Sequence, residues 1–302
     1  SFPCMKRILI TGATGFIGQA LKKRLLQAGH QVYVVTRNPD AKRSLLSDVG
    51  VLGWETLRQP HQVLPEPLDA VFHLAGESLA QWPWNARTRD RLWRSRVEST
   101  HLLVEALGHM KCKPHALVSA SGMGYYGDAG EKEVRIGDAP GSDFLGRLAS
   151  AWEREALKAE EFGIRVVLPR FGMVLAGNGG ALPRLALPFR FGLGTVMGSG
   201  EQYWGWIHQE DAVDLLIKAM ETPELRGPIH AVSGPPLKQS EFARILAEVL
   251  GKPLWLRIPE IFLRSTLGEM ADLFLHGQKV KNGSVAPLKF PTLEKALKNI
   301  LK

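Results

Sequence analysis

The order of apolar and polar residues divides the first 175 positions into short apolar runs and longer amphipathic segments. The short runs lack alternation, as strands buried on both faces do, and lie at residues 6–11, 31–36, 49–54, 69–75, 115–121 and 164–170. The longer segments repeat apolar residues at helical spacing and lie at residues 16–28, 85–110 and 142–162. This alternation predicts an α/β fold with a doubly wound parallel sheet and helices on both faces.

The residue composition changes after residue 170. Glycine, proline and scattered aromatic residues dominate residues 172–205. Further helices are predicted at 208–221 and 239–250, and strands at 228–232 and 254–258. We therefore predict a main domain formed by residues 5–175 and about 206–234. A smaller C-terminal substrate lobe would contain residues of about 176–205 and 235–302.

Composition excludes several classes of protein. Of the 302 residues, 45% are hydrophobic and 23% charged, which is typical of a globular chain with a sizeable core. Two cysteines, Cys4 and Cys112, cannot form a disulfide framework or a metal site. The apolar stretch at 182–193 is broken by Arg184, Pro188 and Arg190. We therefore expect a cytoplasmic protein without a membrane span or membrane partner.

The net charge of +8 favours an anionic ligand, and the basic residues are densest between positions 87 and 96. The five arginines there spread around a helix and do not form one stripe: Arg87, Arg89, Arg91, Arg94 and Arg96. A solvated helix with one or two ligand-facing arginines explains this spacing better than nucleic-acid binding. No run of basic and aromatic residues suited to base stacking accompanies them.

A glycine-rich sequence, TGATGFIG at residues 11–18, joins the first predicted strand to the first predicted helix. Gly12 permits a tight turn, Gly15 lets backbone approach a pyrophosphate, and Gly18 lets the helix pack closely on the strand. The phosphates would then meet the free N–H groups at the helix N-terminus. Because strand, loop, helix and second strand follow in order, the context favours a dinucleotide site over a plain turn.

The end of the second strand indicates which dinucleotide is bound. NAD sites usually place an acidic residue there to bind the ribose 2′-hydroxyl, but this chain has Thr36, Arg37 and Asn38. The Arg37 side chain can stack on adenine or pair with a 2′-phosphate, which suits NADP(H). An arginine on a surface loop is the alternative.

These features resemble the short-chain dehydrogenase/reductase superfamily, in its extended and atypical branches. The sequence LAGE at residues 74–77 is like that family's loop along the cofactor, and WIHQED at 206–211 is similar to an extended-branch motif. VTRNP at 35–39, YYG at 125–127 and GSG at 198–200 resemble the bacterial epimerase family proteins of unassigned function, which have a mammalian relative. The resemblance implies a Rossmann-type domain that binds NADP(H). The predicted cofactor-binding residues are Thr11, Gly12, Thr14, Gly15, Phe16, Ile17, Arg37, Leu74, Ala75, Gly76, Glu77, Arg96 and Phe171.

The catalytic pattern of the superfamily is missing. Active members carry a Tyr-x-x-x-Lys pair on the helix after the fifth strand, and the matching positions here are Leu145 and Ala149. The catalytic serine position falls on Gly122, with Ser121 one residue away. We predict Ser121 and Tyr125 as the catalytic residues. The alternatives are that Ser119 and Ser121 only form strand-end hydrogen bonds and that Tyr125 and Tyr126 only shape a pocket.

Other candidates also have more than one interpretation. His208 is either an acid/base or, as in the motif it resembles, a structural residue at a helix start. Glu77 could contact the ligand or Arg96, and Arg96 could either direct its charge at the cofactor or substrate or form a surface salt bridge. The loop at 177–180 could be a lid, an anion-binding nest or a connection. Aromatic side chains could line a substrate pocket or pack a core, namely Phe189, Phe191, Tyr203, Trp204 and Trp206.

We therefore expect an NADP(H)-dependent oxidoreductase or epimerase-like enzyme that acts on a small molecule through a non-standard active site. The alternatives are a non-catalytic NADP(H)-binding sensor or partner-binding protein and, less favoured, a nucleic-acid-binding protein. The sequence leaves open whether the protein forms a homodimer.

Overall fold

The computed structural model describes residues 5–42, 47–58, 64–280 and 286–302. The β-strands are β1 Arg7–Thr11, β2 Gln31–Thr36, β3 Gly50–Gly53, β4 Ala70–His73, β5 Ala116–Ser119, β6 Ser121–Gly122, β7 Glu133–Val134, β8 Arg165–Phe171, β9 Met173–Leu175, β10 Gly194–Met197, β11 Trp206–His208, β12 Gly227–Ala231, β13 Leu254–Ile258 and β14 Lys279–Val280. The α-helices are α1 Phe16–Gln27, α2 Pro39–Lys42, α3 Trp54–Arg58, α4 Ala86–Trp93, α5 Ser99–His109, α6 Phe144–Leu157, α7 Leu182–Arg190, α8 Gln209–Glu221, α9 Gln239–Leu250, α10 Glu260–Leu267, α11 Asp272–Leu275 and α12 Leu293–Leu301.

Seven strands form the central sheet in the order β3-β2-β1-β4-β5-β8-β12, and every pairing between them is parallel. The short strand β6 continues the line of β5 beside β8. The apolar runs predicted as strands are confirmed, and their side chains fill cores on both faces of the sheet. The predicted doubly wound fold is therefore correct, and all carboxyl ends of these strands meet at one edge.

The single helix predicted over residues 85–110 is interrupted. A π-helical turn at Arg94–Glu98 separates α4 from α5. Such a turn contains one more residue than an α-helical turn and changes which side chains share a face. The prediction missed it because apolar spacing alone shows no break there.

The glycine- and proline-rich stretch after residue 170 contains regular structure that the pattern did not reveal. It includes α7, which has Pro183 in its first turn, where the missing N–H costs nothing, and Pro188 near its end. Helices α7, α9 and α12 pack around an apolar core that includes Phe242 and Trp206, and β10 pairs with β13. The proposed division into domain and lobe stays a prediction.

Two sequence expectations concern single features. Cys112 is a free, exposed thiol, and Cys4 lies outside the described residues. Within the described residues, no helix combines the length and the apolar character needed to cross a lipid bilayer.

Candidate functional site

The glycine-rich loop lies where β1 ends and α1 begins. Gly12 has a positive φ of 74°, and a Cβ placed there would lie 2.5 Å from the carbonyl oxygen of Leu74. A Cβ on Gly18 would collide with the carbonyl of Gly12. The Gly15 N–H donates to that same carbonyl at 3.0 Å, which closes the turn. Glycine at positions 12 and 18 is thus a steric requirement of a loop that presents backbone to the sheet edge.

The N-terminus of α1 behind this loop suits an anion. No side chain caps the helix at Gly15, and its first turn holds no acidic residue, so its N–H groups stay available to a ligand. Backbone at Gly179 and Gly180 packs directly against the Phe16 side chain. The glycine-containing loop at 177–180 therefore borders the predicted phosphate site. This cradle fits the pyrophosphate of a dinucleotide.

A buried hydrogen-bond chain fixes the loop relative to its neighbours. The Thr11 hydroxyl contacts Nδ1 of His73 at 2.6 Å, and Nε2 of His73 contacts the Thr100 hydroxyl at 2.8 Å. Thr100 donates onward to the carbonyl of Arg96, so it accepts from His73, and Thr11 donates to Nδ1 while accepting from the Ala75 N–H. Complete burial lowers the pKa of His73 to about 3 and keeps this ring neutral.

The buried hydrogen-bond chain continues through Arg96 to the loop after β4. The Arg96 guanidinium donates to the carbonyl of Glu77 at 2.8 Å, and the Glu77 N–H donates to Ser95 at 3.1 Å. Arg96 lies beneath Gly76 and over the Trp152 ring, and burial lowers its pKa to about 10. Arg96 thus contacts the backbone of Glu77, and its sequence-predicted contact with cofactor stays a prediction.

The Glu77 carboxylate instead meets residues from two other segments. Its Oε1 accepts from Arg37 at 3.2 Å, and its Oε2 lies 3.5 Å from Nε of Arg91. Gln81 donates to the same Oε2 at 3.3 Å and accepts from Arg91 at 3.0 Å. The four side chains form a polar cluster at the end of β2, which we call the Glu77 cluster.

A second polar network occupies the sheet edge at β6 and β8. The buried Glu153 carboxylate accepts from Nε of Arg170 at 2.8 Å, from its Nη2 at 2.7 Å and from the Ser121 hydroxyl at 2.6 Å. Arg170 also donates to the Tyr126 hydroxyl, which contacts His230. Burial, followed by the charge of Arg170, lowers the pKa of His230 to about 4. We call these side chains the Glu153–Arg170 network. Within it, the Ser121 hydroxyl donates its hydrogen bond to the Glu153 carboxylate.

Tyr125 lies beside the network without joining its hydrogen bonds. The Arg170 guanidinium carbon is 3.5 Å from the centre of the Tyr125 ring. A Cβ placed on the preceding residue, Gly124, would lie 3.3 Å from Cβ of Leu145. The turn that holds Tyr125 therefore borders the helix position where the superfamily carries its tyrosine. Ala149, at the lysine position, is buried.

The remaining predicted residues have clear locations. Thr14 and Ile17 are half-buried at the start of α1, and Phe171 is half-buried at the end of β8. His208 caps α8, because its Nδ1 accepts from the Glu210 N–H, and it stacks on Phe290. This placement is structural. Of the five predicted aromatic residues, Phe191 is 75% exposed. The other four are buried, namely Phe189, Tyr203, Trp204 and Trp206.

One group of side chains has the residue types of a metal site. His276 lies 3.2 Å from carboxylate oxygens of both Asp143 and Asp272. Asp143 also caps α6, and Arg264 donates to Asp272, so existing partners satisfy these carboxylates. The hydrogen bond to Asp143 raises the pKa of His276. The group is best explained as an ion-paired contact.

Sequence reasoning did not assign three residues that the structure places at the sheet edge. Glu153 and Arg170 form the buried pair, and His73 joins the glycine loop to α5. An acidic residue on the apolar face of a predicted helix was the available signal for Glu153. Its partner could not be named, because the two residues come from a helix and a strand that meet only in the fold.

The comparisons with known proteins agree with this architecture. The sequence model of the NAD dependent epimerase/dehydratase family matches residues 8–232. Epimerase family protein YfhF of Bacillus subtilis is 36% identical over 274 residues, covering 90% of this chain and 89% of that protein. Epimerase family protein SDR39U1 of Mus musculus is 34% identical over 305 residues, covering 98% and 99%.

Solved structures extend the likeness to three dimensions. The human epimerase family protein SDR39U1, solved with NADPH, has a TM-score of 0.87 and 32% identity, and covers 97% of this chain and 98% of that one. A nucleoside-diphosphate sugar epimerase from Corynebacterium glutamicum has a TM-score of 0.78 and 26% identity, covering 98% and 58%.

Fold and sheet edge together define a Rossmann-type α/β protein. The chain belongs to the NAD dependent epimerase/dehydratase family. The resemblance to epimerase family proteins drawn from the sequence is thereby confirmed.

Proposed function

We propose that this chain is an NADP(H)-dependent oxidoreductase or epimerase-like enzyme that acts on a small molecule. The observation that carries the proposal is the glycine cradle in front of α1. Gly12 and Gly18 have no room for a Cβ, and the helix start holds neither a capping side chain nor an acid. The human relative solved with NADPH supports the same use of this cradle.

The preference for the phosphorylated cofactor rests on the end of β2. Arg37 follows that strand directly and is 77% exposed, so it can turn toward a 2′-phosphate. Neither Thr36 nor Asn38 offers the carboxylate that a ribose 2′-hydroxyl usually meets there.

Tyr125 is the residue that we assign to proton transfer. When bound, the nicotinamide supplies or accepts a hydride. Tyr125 gives a proton to the substrate oxygen during reduction and takes it back during oxidation. The Arg170 guanidinium packs against its ring, 3.5 Å from the ring centre, and holds the ring at the sheet edge. Ser121 would activate the same oxygen only after leaving the Glu153 carboxylate, to which it donates.

The proposal is tested first by titrating the purified protein with NADPH and with NADH, followed by fluorescence. Tight NADPH binding with weaker NADH binding is expected. Oxidation of NADPH is then measured with a panel of small ketones and nucleotide sugars. Tyr125→Phe should lower turnover by about 10²–10⁴-fold without changing NADPH affinity. Tyr33→Phe is the control, because its hydroxyl accepts from Arg7, the first residue of β1, at the opposite end of the sheet.

A non-catalytic NADP(H)-binding protein is the second candidate. It is favoured by Leu145 and Ala149 at the catalytic positions and by the Ser121 proton held on Glu153. NADPH binding without turnover on the panel would support it. Steady turnover that Tyr125→Phe abolishes would exclude it, whereas turnover unaffected by that substitution would remove Tyr125 from the mechanism.

A further inference from the structure

Arg91 shares a carboxylate with Arg37, although it comes from a different part of the fold. Arg37 follows β2 and contacts Oε1 of Glu77, whereas Arg91 projects from α4 and contacts Oε2. Since the two guanidinium groups bind opposite oxygens of one carboxylate, their nearest nitrogens are separated by about 9 Å at most. One oxyanion can contact both groups across such a gap.

The neighbouring arginines of the same helical segment have other partners. Arg89 pairs with Glu269, and Arg94 pairs with Asp90 and Glu98 on its own helix. Arg96 is buried beneath Gly76. Arg91 alone among these four brings an exposed charge to the end of β2, where Rossmann-type proteins bind the adenosine ribose.

We propose that Arg91 and Arg37 together bind the 2′-phosphate of NADP(H), and that the Glu77 carboxylate occupies their shared site until the phosphate displaces it. This inference rests on the proposed function, because it concerns the same cofactor. It makes Arg91 a specificity-determining residue for the phosphorylated dinucleotide.

The charges of the Glu77 cluster support this exchange. Two arginines face one carboxylate, which leaves one positive charge uncompensated, and a phosphate monoester carries about −1.5 to −2 charges at neutral pH. A phosphate also offers three acceptor oxygens to two planar guanidinium groups. The ligand therefore matches the pair of arginines better than Glu77 does.

The backbone of Glu77 permits its side chain to leave. Its N–H is held by Ser95 and its carbonyl by Arg96, so the loop stays fixed when the carboxylate turns away. Gln81, which contacts both Glu77 and Arg91, can keep its bond to Arg91 during this change.

The test measures dissociation constants for NADPH and NADH, and for adenosine 2′,5′-bisphosphate and AMP, by calorimetry at one ionic strength. Arg91→Ala should weaken NADPH and the bisphosphate about tenfold while leaving NADH and AMP within about twofold. Arg94→Ala is the matched control, because it removes a charge from the same helical segment without touching the Glu77 cluster. It should behave as the wild type.

Glu77→Gln tests the displaced carboxylate. Removing the competing charge should raise the preference for NADPH over NADH, and a lower preference would overturn the stand-in role of Glu77. Wild-type preference in Arg91→Ala, or equal weakening of all four ligands, would overturn the role of Arg91. If the wild type binds neither NADPH nor NADH, the proposed function itself fails.

Discussion

Two halves of the same sheet edge use polar residues in opposite ways. Around β1, β2 and β4, backbone and side chains leave a helix start and exposed arginines available to a ligand. Around β6 and β8, Glu153, Arg170 and Ser121 are buried and satisfy one another. The half predicted to bind the cofactor is thus open, and a buried ion pair occupies the half that contains the predicted catalytic residues.

The difference shows that strand ends at one edge of a sheet can either stay open to a ligand or be filled by an internal network. Parallel strands bring all their carboxyl ends to one edge whether or not those ends react with a substrate. Leu145 and Ala149 contribute to packing, and the buried Glu153–Arg170 pair lies at the same half of the edge.

The strongest test of this comparison removes one member of the buried pair. Arg170→Met leaves Glu153 without its main partner in the protein interior and should lower the free energy of unfolding by about 3–5 kcal/mol. Denaturant titration measures the loss. The double variant Arg170→Met/Glu153→Gln should recover part of it, because no charge remains buried.

An exposed ion pair is the control for that substitution. Arg244→Ala removes a surface pair with Glu248 and should change the unfolding free energy by about 0.5 kcal/mol or less. If Arg170→Met lowers the free energy of unfolding as little as Arg244→Ala does, the Glu153–Arg170 network does not stabilise the fold.

On the cofactor side, the largest effect should come from Gly12→Ala. Its positive φ and the Leu74 carbonyl 2.5 Å from the added Cβ force the loop to move. We expect a loss of about 2–3 kcal/mol in stability and weakening of NADPH binding by more than about tenfold.

Gly29→Ala separates conformational strain from collision. Gly29 has a similar φ of 80°, and nothing lies within 4 Å of its added Cβ. This variant should lose only about 1 kcal/mol and bind NADPH normally. Equal effects in the two variants would contradict a steric role for the Gly12 turn.

On the cofactor side of the edge, His73 should make the stability of the fold depend on pH. Its pKa is about 3 in the fold against 6.5 for an unperturbed histidine, so the unfolded chain binds the proton more readily. Stability should fall as pH decreases from 6.5 toward 3, with His73 accounting for about 2 kcal/mol at pH 5. Urea titrations at pH 7 and pH 5 measure this loss.

His73→Gln should remove that share of the pH dependence, while His115→Gln, an exposed histidine, should not. Burial also lowers the pKa of His230, so some dependence persists in both variants. An unchanged difference between pH 7 and pH 5 in His73→Gln would show that His73 is not held neutral by the fold.

The smallest effect is expected for Ser121→Ala. Glu153 keeps both hydrogen bonds from Arg170, so the stability loss should be about 1 kcal/mol, with NADPH affinity within about twofold of wild type. A loss of turnover of about a hundredfold at unchanged stability would instead support the catalytic role predicted for Ser121 from the sequence.

How far the sequence predicts the molecule depends on how local the signal is. The buried strands and the glycine turn follow from contiguous residues, so β2, α9 and β13 were predicted to the residue. Helix α7 was missed because Pro183 and Pro188 indicate loops unless their positions in the helix are known.

The candidate site follows the same rule. The sequence alone is enough to predict Arg37 as a cofactor contact, because the position after β2 has a fixed relation to the cofactor in this fold. The other contacts join residues that are distant in the sequence. Glu153 and Arg170 are 17 positions apart, and Arg91 is 14 positions from Glu77. Only the packing of helix on strand and helix on loop brings those partners together.

The π-helical turn at Arg94–Glu98 makes the length of this segment as important as its side chains. Each residue of an α-helix advances the chain by about 100° around the axis. The π-helical turn takes up one residue more than an α-helical turn of nearly the same rotation, so deleting one residue from it would restore regular winding and leave α4 facing as before. One further residue wound as regular α-helix between the turn and α5 would instead rotate α4 by about 100°, so that Arg91 would leave Glu77 and Arg89 would leave Glu269. The segment can therefore lose a residue at this turn more readily than it can gain one.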